Sequence, residues 1–222
     1  MVDLPSRPLA EIDPEFEKVA LETGELTYGL PGLSTREKFL LCLANDVCRE
    51  HLGLALRMHV QAALDNNVSY EDMLALVRFV APYAGYPAAA DAMAQLAAAA
   101  GQFGVDTSPQ RATDGGAPGE RVDPGYGRAT TDDWMVGFIA SRTTRAWAET
   151  RLSPRERAYL AIAVAIAQQT LGPSFARHVQ LALDDGASAD QVRDAVRLTA
   201  EFGAVKAAVA VDTLAGLLPG SA

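Results

Sequence analysis

The segment Leu33–Asp65 returns as Leu152–Asp184, and this internal repeat restricts the fold more than any other feature of the chain. The separation is constant: His59 is matched by His178 (178 − 59 = 119). At the same spacing Ser34, Arg36, Glu37, Ala44, Leu52, Gly53, Val60, Gln61, Ala63, Leu64, Asp65, Ser69 and Arg78 are each met again by their own residue type. No gap breaks the register over this stretch. Solenoid arrays repeat every 20 to 50 residues or so, so the longer period here points to duplication of a whole small domain. The 222 residues divide accordingly into a first domain over 13–100, a linker over 101–130 and a second domain over 131–217.

Each copy reads as a succession of helices. Asp13-Pro14-Glu15-Phe16 is a helix start, with a capping aspartate, proline at the first helical position and acids in the first turn. Gly24 is its expected end, and residues 28–32 a turn. Ser34-Thr35-Arg36-Glu37 is a capping box opening a nearly all-apolar helix, Phe39 to about Cys48, which reads as a buried central helix. Gly53 leads into the helix of His59, about Leu54 to Asn66. Asn67 stands where the second copy has Gly186, and both types tolerate the left-handed conformation that closes a helix. Ser69 caps a further helix to about Ala81, Tyr83-Ala84-Gly85-Tyr86-Pro87 breaks the chain, and an alanine-rich helix runs from about Ala88 to Ala100. The second copy follows suit: a helix opened by Thr131-Asp132-Asp133, a capping box at Ser153–Glu156, an apolar helix over Tyr159–Ala167, the histidine helix over Ser174–Asp185, a helix capped by Ser188, and a last one over Lys206–Leu217. No segment alternates with period two, so the fold class is all-α, two tandem helical domains packed as a pseudo-symmetric pair.

Bulk properties exclude several functions. The net charge is −9, and an acidic chain lacks the basic face that tracks phosphates. Nucleic acid is therefore not an expected partner. Cys42 and Cys48 lie six apart on one helix, pointing in different directions, which argues against a disulfide and for a reducing compartment. The polar, proline-broken start carries no signal peptide pattern, and the longest apolar run, Tyr159–Ala167, is far short of a membrane span. A cytoplasmic protein without membrane contact is expected. No Glu-x-x-His or His-x-x-x-His pair offers a metal site, and no strand precedes a phosphate-binding glycine loop. Neither metal nor cofactor is expected.

Leu33-Ser34-x-Arg36-Glu37, His59-Val60 leading into Val68-Ser69-x-Glu71, and Tyr83-Ala84-Gly85-Tyr86-Pro87 together resemble the carboxymuconolactone decarboxylase family, whose helical domain is shared with AhpD-like peroxidase partners. The resemblance covers about Asp13 to Ala100 and, more weakly, Thr131 to Leu217. It departs from the AhpD-like pattern: the Cys-x-x-Cys pair before the histidine is replaced by Leu52 and Ala55 and by Leu171 and Ser174, so thiol peroxidase chemistry is not implied. The glutamate that often follows the Arg-Glu of the cap is absent, with Phe39 and Ala158 in its place. In the second copy Phe202-Gly203-Ala204-Val205-Lys206 replaces the Tyr-x-Gly-x-Pro element, which assigns that copy a supporting role.

The candidate catalytic residues are His59, His178 and Tyr83. Histidine needs little adjustment to act as acid or base near neutrality. On its helix His59 shares a face with Ala55, Leu56, Ala62 and Ala63, and is expected to lie among small apolar groups; His178 lies beside Ser174, Phe175 and Ala182. Tyr83 could orient a carbonyl through its hydroxyl. Arg49, His51 and Tyr86 are the candidate substrate-binding residues, Arg49 as the clamp for a carboxylate. The resemblance implies a cofactor-independent lyase or isomerase acting on a small carbonyl or lactone acid through an enolate. Alternatives are a tailoring step such as cyclisation or rearrangement on the same fold, and a non-catalytic helical scaffold. Single-copy relatives commonly assemble as oligomers, so a homo-oligomer is expected, a trimer in preference to a dimer.

Overall fold

Residues 7–109 and 130–218 are described in a computed structural model of the chain. A short α1 (Arg7–Ala10) precedes α2 (Pro14–Tyr28), α3 (Thr35–Cys48), α4 (Leu54–Asp65), α5 (Tyr70–Ala84) and α6 (Tyr86–Gln102). The second repeat comprises α7 (Asp133–Trp147), α8 (Pro154–Gln168), α9 (Pro173–Asp184), α10 (Ala189–Leu198), a 3-10 turn (Thr199–Phe202) and α11 (Ala204–Ala215). The described residues contain no strand. The linker expected over 101–130 lies mostly, at 110–129, outside the described residues, and Gly101 and Gln102 belong to α6.

The central pair is α3 and α8. Eleven of the fourteen residues of α3 and twelve of the fifteen of α8 are buried, as a helix apolar on all sides requires. They pack on each other, and one continuous apolar core runs through both repeats. Their capping boxes also clasp across the pair. Glu37 accepts from the Ser34 amide with Oε2 (2.8 Å) and from Arg155 Nε with Oε1 (2.9 Å), while Glu156 accepts from Ser153 (2.7 Å) and from Arg36 Nε (2.7 Å) in the mirrored arrangement. Buried cations fasten the leading helices to this centre: Lys38 Nζ donates to the Tyr28 carbonyl at 2.6 Å, and Arg157 Nη1 to Glu149 (2.6 Å) and Leu152 (2.7 Å).

The structure corrects three boundaries. Helix α2 does not end at Gly24 but continues to Tyr28, because Gly24, Thr27 and Tyr28 are buried and the last turn has tertiary contacts to make. Helix α5 passes Ala81 and Pro82 and stops only at Gly85, whose φ of 100° suits a residue without a Cβ. The third concerns the repeat itself. The spacing of 119 holds as far as Tyr83 and Phe202 (202 − 83 = 119) but closes to 118 at the hinge glycines (203 − 85 = 118). The second copy is one residue shorter there, and its helix tightens into the 3-10 turn, with the Gly203 amide bonded to Ala200 O at 3.1 Å.

Candidate functional site

Asp46 is the only acid in the buried stretch Phe39–Val47 of α3, and it is fully buried. From α4, His59 turns Nδ1 to Asp46 Oδ2 at 2.6 Å. On its other side Nε2 faces Oε1 of Glu201, in the 3-10 turn of the second repeat, at 3.8 Å. That distance is an ion-pair separation, longer than a hydrogen bond. Thr27 at the end of α2 donates to Glu201 Oε2 at 3.1 Å, and next to it Tyr28 donates its hydroxyl to Cys42 Sγ at 3.1 Å. The Phe202 ring lies 5.9 Å from the imidazole, centre to centre. Asp46 Oδ1 is buried without a hydrogen-bond partner in the protein. The imidazole and Glu201 remain reachable, at 15% and 21% side-chain exposure.

Protonation follows from these neighbours. Burial alone would push the His59 imidazole down, but the charge and hydrogen bond of Asp46, reinforced by Glu201, outweigh it and hold the group at about 10. His59 is therefore an imidazolium at neutral pH. Burial pushes the Asp46 carboxyl up while His59 pulls it back. We place the shared proton on Nδ1, because the second carboxylate favours the cation. Burial also raises the Tyr28 phenol and the Cys42 thiol, keeping both neutral.

The equivalent place in the second repeat has the same plan and neither carboxylate. At a spacing of 119, Asp46 becomes Ala165, Cys42 becomes Ala161 and Tyr28 becomes Trp147, while Pro82 and Tyr83 stand for Glu201 and Phe202. His178 is wholly buried and stacked on Trp147, ring centres 6.0 Å apart. Burial drives it down to about 4, with Arg177 adding to the effect, so it is neutral. Tyr83 belongs here: its hydroxyl accepts from Trp147 Nε1 at 2.7 Å. The repeats thus exchange residues, Tyr83 crossing to the Trp147 that stacks on His178, and Glu201 and Phe202 crossing to His59.

The expected site residues consequently separate. Arg49 comes to the His59 site, where Nη1 donates to the Phe202 carbonyl at 2.6 Å, so it latches the 3-10 turn. His51 is exposed, its amide bonded to the Asp46 carbonyl at 2.9 Å. Tyr86 begins α6 and is 50% exposed. The expectation that His59 sits among small apolar groups is corrected: that environment belongs to His178, and His59 sits between two carboxylates. The second copy, read as supporting, supplies Glu201 to the His59 site. Sequence reading missed both acids. For Asp46 the signal was there, an acid inside an apolar run where the other copy has alanine. For Glu201 the nearest signal is its place opposite Pro82.

A crystal structure from Burkholderia xenovorans LB400, named as a candidate gamma-carboxymuconolactone decarboxylase subunit, superposes with a TM-score of 0.55 at 17% identity, over 94% of this chain and 88% of that one. At that identity the likeness speaks to the fold. No curated protein matches the chain. The sequence profile described as "Carboxymuconolactone decarboxylase family" matches twice, over residues 14–98 and 133–215. With both repeats matched, the chain belongs to the carboxymuconolactone decarboxylase family.

Proposed function

We propose that the chain is a cofactor-independent enzyme that decarboxylates or isomerises a small carbonyl or lactone acid through an enolate-like intermediate, at the His59 site. The observation that carries this reading is the imidazole held between Asp46 and Glu201 and reachable from solvent. An imidazolium in that position donates Nε2–H to the carbonyl oxygen on which negative charge develops, and it does so in a site whose groups are already oriented. The family supplies the reaction class; the charged histidine supplies a means. The His178 site, sealed and apolar, takes no part. The test is conversion of a panel of small keto and lactone acids, followed by carbon dioxide release and by deuterium uptake from solvent. His59→Gln should lower the rate by about 100-fold or more, and His178→Gln should leave the rate of folded protein nearly unchanged. A His59→Gln enzyme of undiminished rate would remove the proposal.

We also propose that the chain works as a homo-oligomer, a trimer in preference to a dimer. Helix α2 leaves Phe16 and Val19 at 60% and 58% exposure, three residues apart on one face, and grouped apolar exposure of this kind marks contact surfaces. Sedimentation should show a species larger than the 23.5 kDa chain, and Phe16→Glu should shift it toward the monomer.

A further inference from the structure

We infer that Glu201, delivered by the second repeat, is the base that takes the substrate proton, and that His59 is its charged partner rather than the base itself. The inference rests on the acid–base reading above and assigns the parts within it. Three groups at the site could accept a proton, and two are disqualified by their surroundings. Asp46 is fully buried beneath α4 with Oδ2 committed to the imidazole. His59 has no lone pair to offer while it carries both protons, as its two acidic neighbours require. Glu201 alone combines a carboxylate with exposure.

The placement of its oxygens fits the task. Oε2 accepts from Thr27 at 3.1 Å and fixes the side chain, while Oε1 stops 3.8 Å short of His59 Nε2. A substrate carbonyl oxygen accepting from Nε2 would bring its α-carbon hydrogen beside Oε1. In the step, the α C–H bond breaks and an O–H bond forms on Glu201. The electron pair passes through the α-carbon to the carbonyl oxygen, giving an enolate hydrogen-bonded to the imidazolium. Return of that proton to another carbon completes an isomerisation. No redox partner is needed.

The turn that carries Glu201 is held from several directions. Thr27 and Tyr28 of α2 approach it, Arg49 holds the Phe202 carbonyl, and Gly203, at φ 149°, turns the chain into α11. The charged or titratable groups around the imidazole are Asp46, Cys42, Tyr28, His51 and Glu201, with Arg49 behind the turn. The first repeat has Pro82 in the corresponding place, so the base exists once per chain.

The experiment uses the full chain with acetoacetate and a carboxylated butyrolactone as probes, reading solvent deuterium uptake, and follows the His59 ring by NMR in the same samples. Glu201→Gln keeps the shape and still accepts from Thr27. It should lose about 100-fold or more in kcat with KM changed less than about threefold, Glu201→Asp should recover part of the loss, and the His59 titration midpoint should fall relative to wild type. Thr27→Val, which only frees Glu201 to move, should give a smaller loss. Undiminished exchange in Glu201→Gln, with His59→Gln inactive, would overturn the assignment and leave the acid–base reading standing with His59 in direct charge. An unmoved His59 midpoint would overturn the pairing. Wild-type protein exchanging neither probe would bring down the acid–base reading for these acids and the assignment with it.

Discussion

Where His59 has Asp46 and Glu201, the second repeat has Ala165 and Pro82, and the protonation of His178 follows. Its folded value is lowered to about 4 from 6.5, so the unfolded chain binds more protons between those values. The associated stability is present above about pH 6.5 and is lost as pH falls toward 4. For a fully buried ring the loss is roughly 3 kcal/mol. His59 has the opposite sign: its contribution is complete below about 6.5 and disappears as pH rises through about 10. Urea midpoints at pH 7 and pH 4.5 should therefore fall further apart in wild type than in His178→Leu, which keeps the volume and removes the titration. Equal separations would mean that His178 does not stay neutral. At this scale the sequence was half legible. Both histidines stand out because the repeat aligns them, but the partner of His59 in Glu201 lies 142 residues away (201 − 59), and no local spacing can announce a pair that only packing creates.

Among the elements, the 3-10 turn Thr199–Phe202 differs most from its counterpart, the end of α5. One residue fewer shortens the path between a helix and the next, so the chain winds more tightly and re-aims the side chain at 201. Gly203 makes the exit possible with its φ of 149°, and a Cβ there would stand 3.4 Å from Arg49 Nη1. Gly203→Ala should cost about 1–3 kcal/mol of stability, seen as a lower melting temperature, and should reduce activity in proportion to the displacement of Glu201. A variant as stable and as active as wild type would show that the turn tolerates another course. Helix starts were legible because a capping box is written within four residues, as at Ser34 and Ser153. Helix ends were less so: α2 runs on to Tyr28 because Lys38 and the core receive its last turn, which propensity does not record.

Over the whole molecule, the two duplicated domains share one packed core. Phe39, Leu40 and Leu41 of α3 join Tyr159, Leu160 and Ile162 of α8 in one core, and a domain without that partner would expose a helix that is apolar all round. The clasp reinforces the union, because Glu37 and Glu156 each cap their own helix while accepting an arginine from the other repeat. Residue exchange around the two histidines adds a further dependence, since neither site is complete within its own repeat. Chemical denaturation monitored at Trp147, which stacks on His178 near the contact with Tyr83, and by far-ultraviolet dichroism should thus give one coincident transition. Glu37→Gln retains an oxygen for the Ser34 amide and loses only the charge facing Arg155, so it isolates the cross-repeat pair. It should move that single transition as a whole, by about 1 kcal/mol given the partial exposure of Arg155. Two transitions, one of them unmoved by the substitution, would show instead that each repeat folds as its own unit and that the shared core forms only when they dock.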